Sequence, residues 1–277
     1  MKSNYEAISI DLDGTLLDDK NNIDDYTINI LKKVHSKGIK IIISTGRSLT
    51  GIPDILRKLN IIDYYILSNG TSCYDNKKNN IFKVCINTDL IGKLIIPNEK
   101  FSMEFLIDDK WYIDSMDESK FSKIIEDENV LNYILKTRIK KENLLDYIKS
   151  NMLLVEKINF NFSKDYKLAG NEYVNEIVKK SNGQLRCWTD KPHKIDLYNK
   201  EATKGKSLIK LLNYIKADSK KIVAFGDDEN DADLLENVGL PIAMENAYSK
   251  IKSICKKTTS SNNEDGVANE LIDIFEL

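Results

Sequence analysis

The chain has 277 residues, of which 42% are hydrophobic, and its 41 basic and 43 acidic residues leave a net charge of −2. This length is expected to hold two domains. The balanced charge disfavours a nucleic-acid-binding module, and no apolar run reaches the roughly 20 residues of a membrane helix. The first strand begins near Tyr5, which leaves no room for a signal peptide, so we expect a cytoplasmic protein with reduced cysteines.

The first strand ends in two carboxylates, Asp11 and Asp13, followed by Gly14. Glycine adopts a positive φ at little cost, so the chain can turn there. Two acids at the mouth of an apolar strand repel each other unless a cation or a proton lies between them. An EF-hand calcium loop is disfavoured, because its twelfth position counted from Asp11 is Asn22 and not Glu. The pattern therefore indicates a site for phosphate and a metal.

Helical and strand patterns alternate after this motif, as a parallel α/β sheet requires. We predict a helix over residues 24–38, a strand over residues 39–44, a helix over residues 49–59 and a strand over residues 64–67. The second strand runs directly into Thr45. A threonine at a strand end is ordinarily a turn residue, so it indicates a site only in combination with the first motif.

The pattern changes to α+β in the middle of the chain. We predict a hairpin over residues 101–113, a strand over residues 153–162 and a helix over residues 168–180. Aromatic side chains in strands usually pack, so four of them are expected in a core: Trp111, Phe160, Phe162 and Trp188. We therefore predict an inserted domain at residues 85–190, between two core segments at residues 1–84 and 191–277.

The core resumes with a predicted helix over residues 204–214, and a second acidic turn follows the apolar run at residues 222–225. Acid-rich turns before helices are usually N-caps. Two acidic turns at the carboxyl ends of strands, however, are where open α/β sheets place ligands. Of the two histidines, His35 lies near a helix end and is interpreted as structural. His193, at the exit from the insertion, is either a hinge residue or close enough to a cleft to contact substrate.

Together these motifs resemble the haloacid dehalogenase superfamily of phosphohydrolases, in its Cof-like branch with a large inserted cap. The resemblance implies a Rossmann-like parallel-sheet core with an α+β cap that closes over the substrate and sets specificity. It spans both core segments and rests on Asp11-Leu12-Asp13-Gly14-Thr15, Ser44-Thr45-Gly46-Arg47, Lys204-Gly205 and Gly226-Asp227-Asp228-Glu229-Asn230-Asp231, with support from Ser68-Asn69-Gly70 and Asn263-Glu264-Asp265-Gly266-Val267-Ala268.

The resemblance also implies a role for each motif residue. Asp11 is expected to be the nucleophile that forms an aspartyl-phosphate, and Asp13 the acid and base that serves the leaving group and the water. Mg²⁺ is expected on Asp11, the backbone carbonyl of Asp13 and Asp227, with Asp231 supporting it from behind. The phosphate is expected to contact Thr45, Gly46, Arg47, Lys204 and Asn230.

The expected function is Mg²⁺-dependent hydrolysis of a small phosphorylated metabolite, such as a sugar phosphate, without nucleic-acid or membrane partners. A phosphosugar mutase stays open, because relatives with the same first motif and a similar cap transfer phosphate between hydroxyls. A noncatalytic sugar-phosphate sensor also stays open, although such a protein has no need of both Asp11 and Asp13. The sequence indicates neither the individual substrate nor the oligomeric state.

Overall fold

The structure of the protein, a computed structural model, describes residues 4–191 and 193–277. The chain divides into two compact units. The first unit contains the described residues up to Lys83 together with Thr203–Leu277, and the second is Val84–Ala202. Residues 1–3 of the predicted core and Pro192 at the predicted exit from the insertion lie outside the described residues.

The first unit contains, in chain order, β1 (Ala7–Ile10), α1 (Asp25–Ser36), β2 (Lys40–Ser44), α2 (Asp54–Lys58), β3 (Tyr64–Leu67), β4 (Ser72–Asp75), β5 (Asn80–Lys83), and, after the second unit, α8 (Lys204–Ile215), β12 (Ile222–Gly226), α9 (Ala232–Glu236), β13 (Leu240–Ala243), α10 (Ser249–Ile254), β14 (Lys257–Thr258) and α11 (Gly266–Phe275). Its eight-stranded sheet has the strand order β14-β13-β12-β1-β2-β3-β4-β5. Neighbouring strands from β14 to β3 are parallel, whereas β4 runs antiparallel to β3 and β5 antiparallel to β4.

Strand β1 lies between β12 and β2, and all of its residues are buried. Parallel strands that are covered on both faces read as continuous apolar runs, which is the pattern seen in all three of these strands. Ile10 is paired with Phe225 on one side and with Ile43 on the other. The chain therefore leaves the three strands at one edge of the sheet, and the prediction of a parallel α/β core is confirmed.

The predicted helix over residues 49–59 is wrong in its extent. The structure has a single 3₁₀ turn at Leu49–Gly51 and then the short helix α2, with Pro53 at its N-cap. Proline has no backbone N–H and clashes with the preceding turn, so one helix cannot run through this position. The hairpin of β4 and β5 was not predicted, because only its polar turn around Asp75 carries a clear signal.

The second unit contains, in chain order, α3 (Thr88–Leu94), β6 (Phe101–Ile107), β7 (Lys110–Asp114), α4 (Glu118–Ile124), α5 (Glu128–Thr137), β8 (Ile139–Lys141), α6 (Leu144–Ser150), β9 (Val155–Phe162), α7 (Lys167–Lys180), β10 (Leu185–Lys191) and β11 (Lys194–Asn199). Its six-stranded sheet has the order β10-β11-β9-β6-β7-β8. Phe160 and Phe162 lie in its apolar core, as predicted, and both pack edge to face on Phe101.

Three expectations for this region differ from the structure. Strand β11 pairs with both β10 and β9, so residues 194–199 belong to the second unit and the division falls between Ala202 and Thr203. His193 is exposed on the turn before β11 and does not mark an exit to the first unit. Trp111 and Trp188 are only partly buried and do not belong to the apolar clusters of the described residues. The charged groups of Lys157 and Arg138 lie over the Trp111 ring.

Among the described residues, no helix combines the length and the apolar character that crossing a bilayer requires.

Candidate active site

The first acidic turn follows β1 directly. The backbone amide of Asp11 donates to the carbonyl of Phe225 at 3.2 Å, which continues the strand pairing by one residue. Gly14 then has a φ of +76°, and a Cβ at this position would collide with the carboxylate of Asp227. Glycine is therefore required here both by its backbone conformation and by the close approach of the second acidic turn.

Lys204 joins the two acidic turns. Its Nζ lies 2.7 Å from Asp11 Oδ1 and 2.7 Å from Asp231 Oδ1, and 3.3 Å from Asn230 Oδ1. The lysine and both carboxylates are buried. Burial by itself lowers the pKa of Lys204, but the charges of Asp11 and Asp231 outweigh it, and the net pKa lies above its usual value. The lysine is therefore a fixed cation beside the predicted nucleophile.

Asp227 lies at the end of β12, and a threonine from the first turn reaches it. Thr15 Oγ1 donates to Asp227 Oδ1 at 2.7 Å. Asp231 Oδ2 accepts from the amides of Asp227 at 3.1 Å and Asp228 at 3.2 Å, so it holds the turn closed. Burial raises the pKa of Asp227 to about 7, with the Thr15 hydrogen bond opposing the shift and the Asp231 charge adding to it.

The oxygens of Asp11, Asp227 and Asp231 lie within 4.8 Å of one another. Burial, followed by the charge of Asp231, raises the pKa of Asp11 above its usual value, and Lys204 offsets only part of this effect. With three carboxylates beside one lysine, the cluster has excess negative charge whenever all of them are ionised, and the raised pKa reflects this repulsion. Carboxylate oxygens are the ligands that hard cations such as Mg²⁺ prefer. The donor set, its crowding and its excess charge fit a divalent cation.

The side chain of Asp13 lies apart from this cluster and is held by Arg47. Arg47 Nε donates to both carboxylate oxygens of Asp13, at 3.2 and 2.9 Å, and Nη2 donates to Asp13 and to Asn21. Nη1 donates to the carbonyl of Gly51 at 3.1 Å. Arg47, the predicted phosphate ligand, thus binds the side chain of Asp13, the predicted acid and base.

The turn after β2 carries the predicted phosphate donors. Thr45 is buried, and its hydroxyl accepts from the Arg47 amide at 3.2 Å, which leaves the hydroxyl proton to donate elsewhere. A Cβ on Gly46 would lie 3.1 Å from Asn69 Oδ1, so this position has little room for a side chain. Asn230 Nδ2 donates to the same Asn69 oxygen at 3.1 Å.

The structure thus brings Asp11, Asp227, Asp231, Lys204 and Asn230 into one connected network, and links Asp13 to Arg47 beside the Thr45 turn. Sequence reasoning named no role for two residues of the site, Thr15 and Asn69. Thr15 had one available signal, a hydroxyl in the turn after the paired acids. Asn69 had one too, since asparagine tolerates the left-handed backbone conformation that it adopts here.

The remaining candidates lie outside the network. Lys206 is exposed on α8 and Lys200 is exposed in the second unit, whereas Lys204 is buried. His35 Nε2 lies 3.6 Å from Asp63 Oδ2 in the last turn of α1, which agrees with a structural interpretation.

Known proteins are similar to this one over nearly the whole chain. The haloacid dehalogenase-like hydrolase family matches residues 8–271. The chain is 27% identical over 263 residues to a 5-amino-6-(5-phospho-D-ribitylamino)uracil phosphatase, YcsE of Bacillus subtilis, covering 95% of this chain and 93% of the relative. It is 26% identical to YxeH, a putative phosphatase of the same organism, covering 96% of this chain and 97% of the relative.

Solved structures agree with the family match. The fold is similar to that of TM0651 from Thermotoga maritima, with a TM-score of 0.79, 24% identity and 97% coverage of each chain. The resemblance based on the four motifs is thereby confirmed. The chain belongs to the haloacid dehalogenase-like hydrolases and is a phosphatase of that family.

Proposed function

We propose that the protein hydrolyses a small phosphomonoester through an aspartyl-phosphate on Asp11, with Mg²⁺ as cofactor. The observation that supports this most directly is the contact of Asp11 Oδ1 with the buried ammonium of Lys204 at 2.7 Å, at the carboxyl end of β1. A carboxylate that attacks an anionic phosphate must overcome electrostatic repulsion. A fixed cation at this distance reduces that repulsion before the substrate arrives.

The chemistry divides into two displacements at phosphorus. Asp11 attacks the phosphoryl group, the bond to the ester oxygen breaks and the leaving alkoxide takes a proton. A water then attacks the aspartyl-phosphate, loses a proton and releases inorganic phosphate together with the Asp11 carboxylate. Lys204, the Thr45 hydroxyl, the Gly46 amide and the Asn230 amide are the donors that we assign to the phosphoryl oxygens.

Mg²⁺ is assigned to the carboxylates of Asp11 and Asp227 and to the backbone carbonyl of Asp13. Bound there, it supplies positive charge to the phosphoryl oxygens in both displacements. Asp231 is assigned a supporting role, because its Oδ2 is held by two backbone amides and its Oδ1 by Lys204.

Asp13 is assigned both proton transfers, to the leaving alkoxide and from the water. Arg47 is assigned to Asp13 as its positioning partner, which revises the expectation that it binds phosphate. A guanidinium with two hydrogen bonds to one carboxylate fixes the orientation of that carboxylate. The exposed fraction of the Asp13 side chain is 53%, so incoming substrate and water can reach it.

We assign the second unit, Val84–Ala202, as the cap that selects the leaving group. It is inserted between the two halves of the first unit, and its sheet carries buried charged residues such as the pair Lys157 and Asp196, whose Nζ and Oδ2 are 2.7 Å apart. Since YcsE is named for a phosphoribitylamino compound, phosphorylated polyols and sugars are the first substrates to test. A cytoplasmic location stays a prediction from the sequence.

A panel of phosphomonoesters with and without Mg²⁺ tests the proposal. We expect release of inorganic phosphate from at least one sugar or polyol phosphate, and loss of this release when a chelator removes the metal. Product formation that requires a sugar bisphosphate, without net phosphate release, would instead identify a mutase. Tight binding of a sugar phosphate without turnover of any substrate would identify a sensor.

Substitution of Asp13 by Asn is expected to separate the two displacements. An aryl phosphate with an acidic phenol needs little protonation of its leaving group, so Asp11 can still attack it. Breakdown of the aspartyl-phosphate then lacks a base and becomes slow. Rapid mixing should show a burst of phenol approaching one equivalent per enzyme, whereas alkyl phosphates should show none. Turnover of both substrate classes near the wild-type rate contradicts the assignment of Asp13.

Substitution of Asp227 by Asn is expected to stabilise the metal-free protein at neutral and higher pH. The folded-state pKa of about 7 lies above the unfolded value of about 3.9, so the folded state binds more protons and wild-type stability falls as the pH rises through this range. The variant should therefore unfold about 2 °C or more above wild type at pH near 8, and show little advantage at acid pH.

The unfolding of wild type and Asp227→Asn is then compared with and without Mg²⁺. It should raise the unfolding midpoint of wild type and have much less effect on Asp227→Asn, because a charged ligand has been lost. Glu229→Gln, a change in the same acidic turn at an exposed residue, is the matched control and should respond to Mg²⁺ like wild type. An equal Mg²⁺ response of Asp227→Asn and wild type would remove Asp227 from the metal site.

A further inference from the structure

The segment Ser68-Asn69-Gly70, which we call the left-handed corner, follows β3 directly. Ser68, Asn69 and Gly70 have φ values of 49°, 55° and 92°. Two consecutive non-glycine residues in this region cost free energy, and buried segments keep such a conformation only when their surroundings impose it. Ser68 and Asn69 are both buried. The corner is therefore held in place by specific contacts.

The backbone of the corner binds the phosphate turn after β2. The amide of Ser68 donates to the carbonyl of Arg47 at 2.9 Å, and the amide of Asn69 donates to the carbonyl of Thr45 at 3.0 Å. The strained conformation thus fixes the backbone on either side of Gly46, whose amide is assigned to the phosphate.

The carbonyl side of the corner binds the beginning of α8. Ser207 Oγ donates to the carbonyl of Gly70 at 2.7 Å, and a Cβ on Gly70 would collide with the carbonyl of Thr203. Thr203 is the N-cap of the helix that begins at Lys204. The same corner therefore sets the distance between the phosphate turn and the helix that carries the catalytic cation.

The side chain of Asn69 reaches the second acidic turn. Asn69 Oδ1 accepts from Asn230 Nδ2 at 3.1 Å, and Asn230 Oδ1 lies 3.3 Å from Lys204 Nζ. A planar amide that is fixed at its nitrogen is also fixed at its oxygen. Asn69 and Lys204 together therefore hold the Asn230 amide in one orientation, and this fixes the direction of its second N–H donor.

We propose that Asn69 is a positioning residue of the phosphoryl site, which holds the Asn230 amide and the Thr45–Gly46 turn in register with Lys204. The proposal rests on the proposed function. Asparagine suits the position because it combines tolerance of the left-handed region with a neutral acceptor. Aspartate shares the first property but would place a further negative charge beside the phosphate.

The test compares Asn69→Gly with wild type on an aryl phosphate. Glycine relieves the backbone cost and removes the acceptor, so the variant should unfold no lower than wild type while kcat falls about 10- to 100-fold. The inhibition constant of inorganic phosphate should rise in parallel. Lys216→Gly is the matched control, since Lys216 is exposed with a φ of 57° at the end of α8, and its kinetics should equal those of wild type.

A double-mutant cycle with Asn230→Ala distinguishes positioning from a general loss of order. If Asn69 acts through Asn230, Asn69→Gly should reduce kcat much less in the Asn230→Ala background than in wild type. If wild type releases phosphate but Asn69→Gly keeps the same kcat, the role of Asn69 is overturned and the proposed function stands. The same holds if the losses of kcat from the two substitutions are fully additive. Absence of phosphate release by wild type overturns the proposed function and this inference together.

Discussion

Substitution of Asp11 by Asn is expected to reduce phosphatase turnover by at least about 10⁴-fold, because loss of a covalent nucleophile removes the whole reaction path. The amide has almost the same volume as the carboxylate, so the core around β1 should stay packed. The substitution also removes one negative charge from a cluster in which burial and Asp231 raise the pKa of Asp11. The metal-free variant should therefore unfold at a temperature no lower than wild type.

The measurement pairs initial rates with thermal unfolding of the same samples. Glu229→Gln again serves as the control, because it removes a carboxylate from the second acidic turn at an exposed side chain and should keep full activity. Substantial Mg²⁺-dependent turnover by Asp11→Asn would contradict the assignment of Asp11 as nucleophile. A large drop in its unfolding temperature would instead indicate that the carboxylate is structurally required.

Substitution of Lys204 by Met is expected to cost both activity and stability. Methionine fills a similar volume but leaves the buried carboxylates of Asp11 and Asp231 without their shared cation. Breaking a buried ion pair by removing one partner typically costs about 3–5 kcal/mol. We expect an unfolding free energy lower by about this amount at neutral pH, and phosphatase activity close to background because the phosphoryl charge loses a fixed donor.

The stability that Lys204→Met loses should depend on pH. Without the ammonium, the pKa of Asp11 should rise further, because the charge of Asp231 then acts on it without the opposing charge of Lys204. The folded variant then binds more protons than wild type, so its deficit in stability should shrink as the pH falls. Denaturant unfolding at two pH values measures this.

Lys206→Met is the matched control for Lys204→Met, since it makes the same substitution at an exposed position of the same helix. It should keep nearly full activity and stability. Equal deficits in the two variants would show that helix α8, and not the buried ammonium, is responsible.

Much of the fold could be predicted from the sequence because local patterns determine it. The apolar runs that became β1, β2 and β12 indicate strands buried on both faces. Since parallel strands end at a common edge, the acids after β1 and after β12 were expected to meet, and Gly14 marked the turn where they do. Both acidic turns can therefore be recognised from the sequence alone.

The end of the second unit has no clear signal in the sequence. The polar turn before β11 has the composition of a linker, so local composition predicts an exit from the insertion there. Only the pairing of β11 with β9 and β10 assigns residues 194–199 to the second unit. Strand partners are chosen by nonlocal hydrogen bonds, so a local composition does not tell a hairpin turn from a connection between domains.

The sequence by itself determined the residue types of the site and the edge of the sheet at which they meet. The tertiary structure decided which side chains bind one another. Thr15 and Asp227 are 212 positions apart, Asn69 and Asn230 are 161 apart, and Arg47 binds Asp13 across 34 positions. A periodic pattern reports the environment of a residue over a few neighbours, whereas a hydrogen bond depends on atomic distance and angle. For this reason the carboxylates were recognised from the sequence, but the roles of Thr15, Asn69 and Arg47 came only from the folded chain.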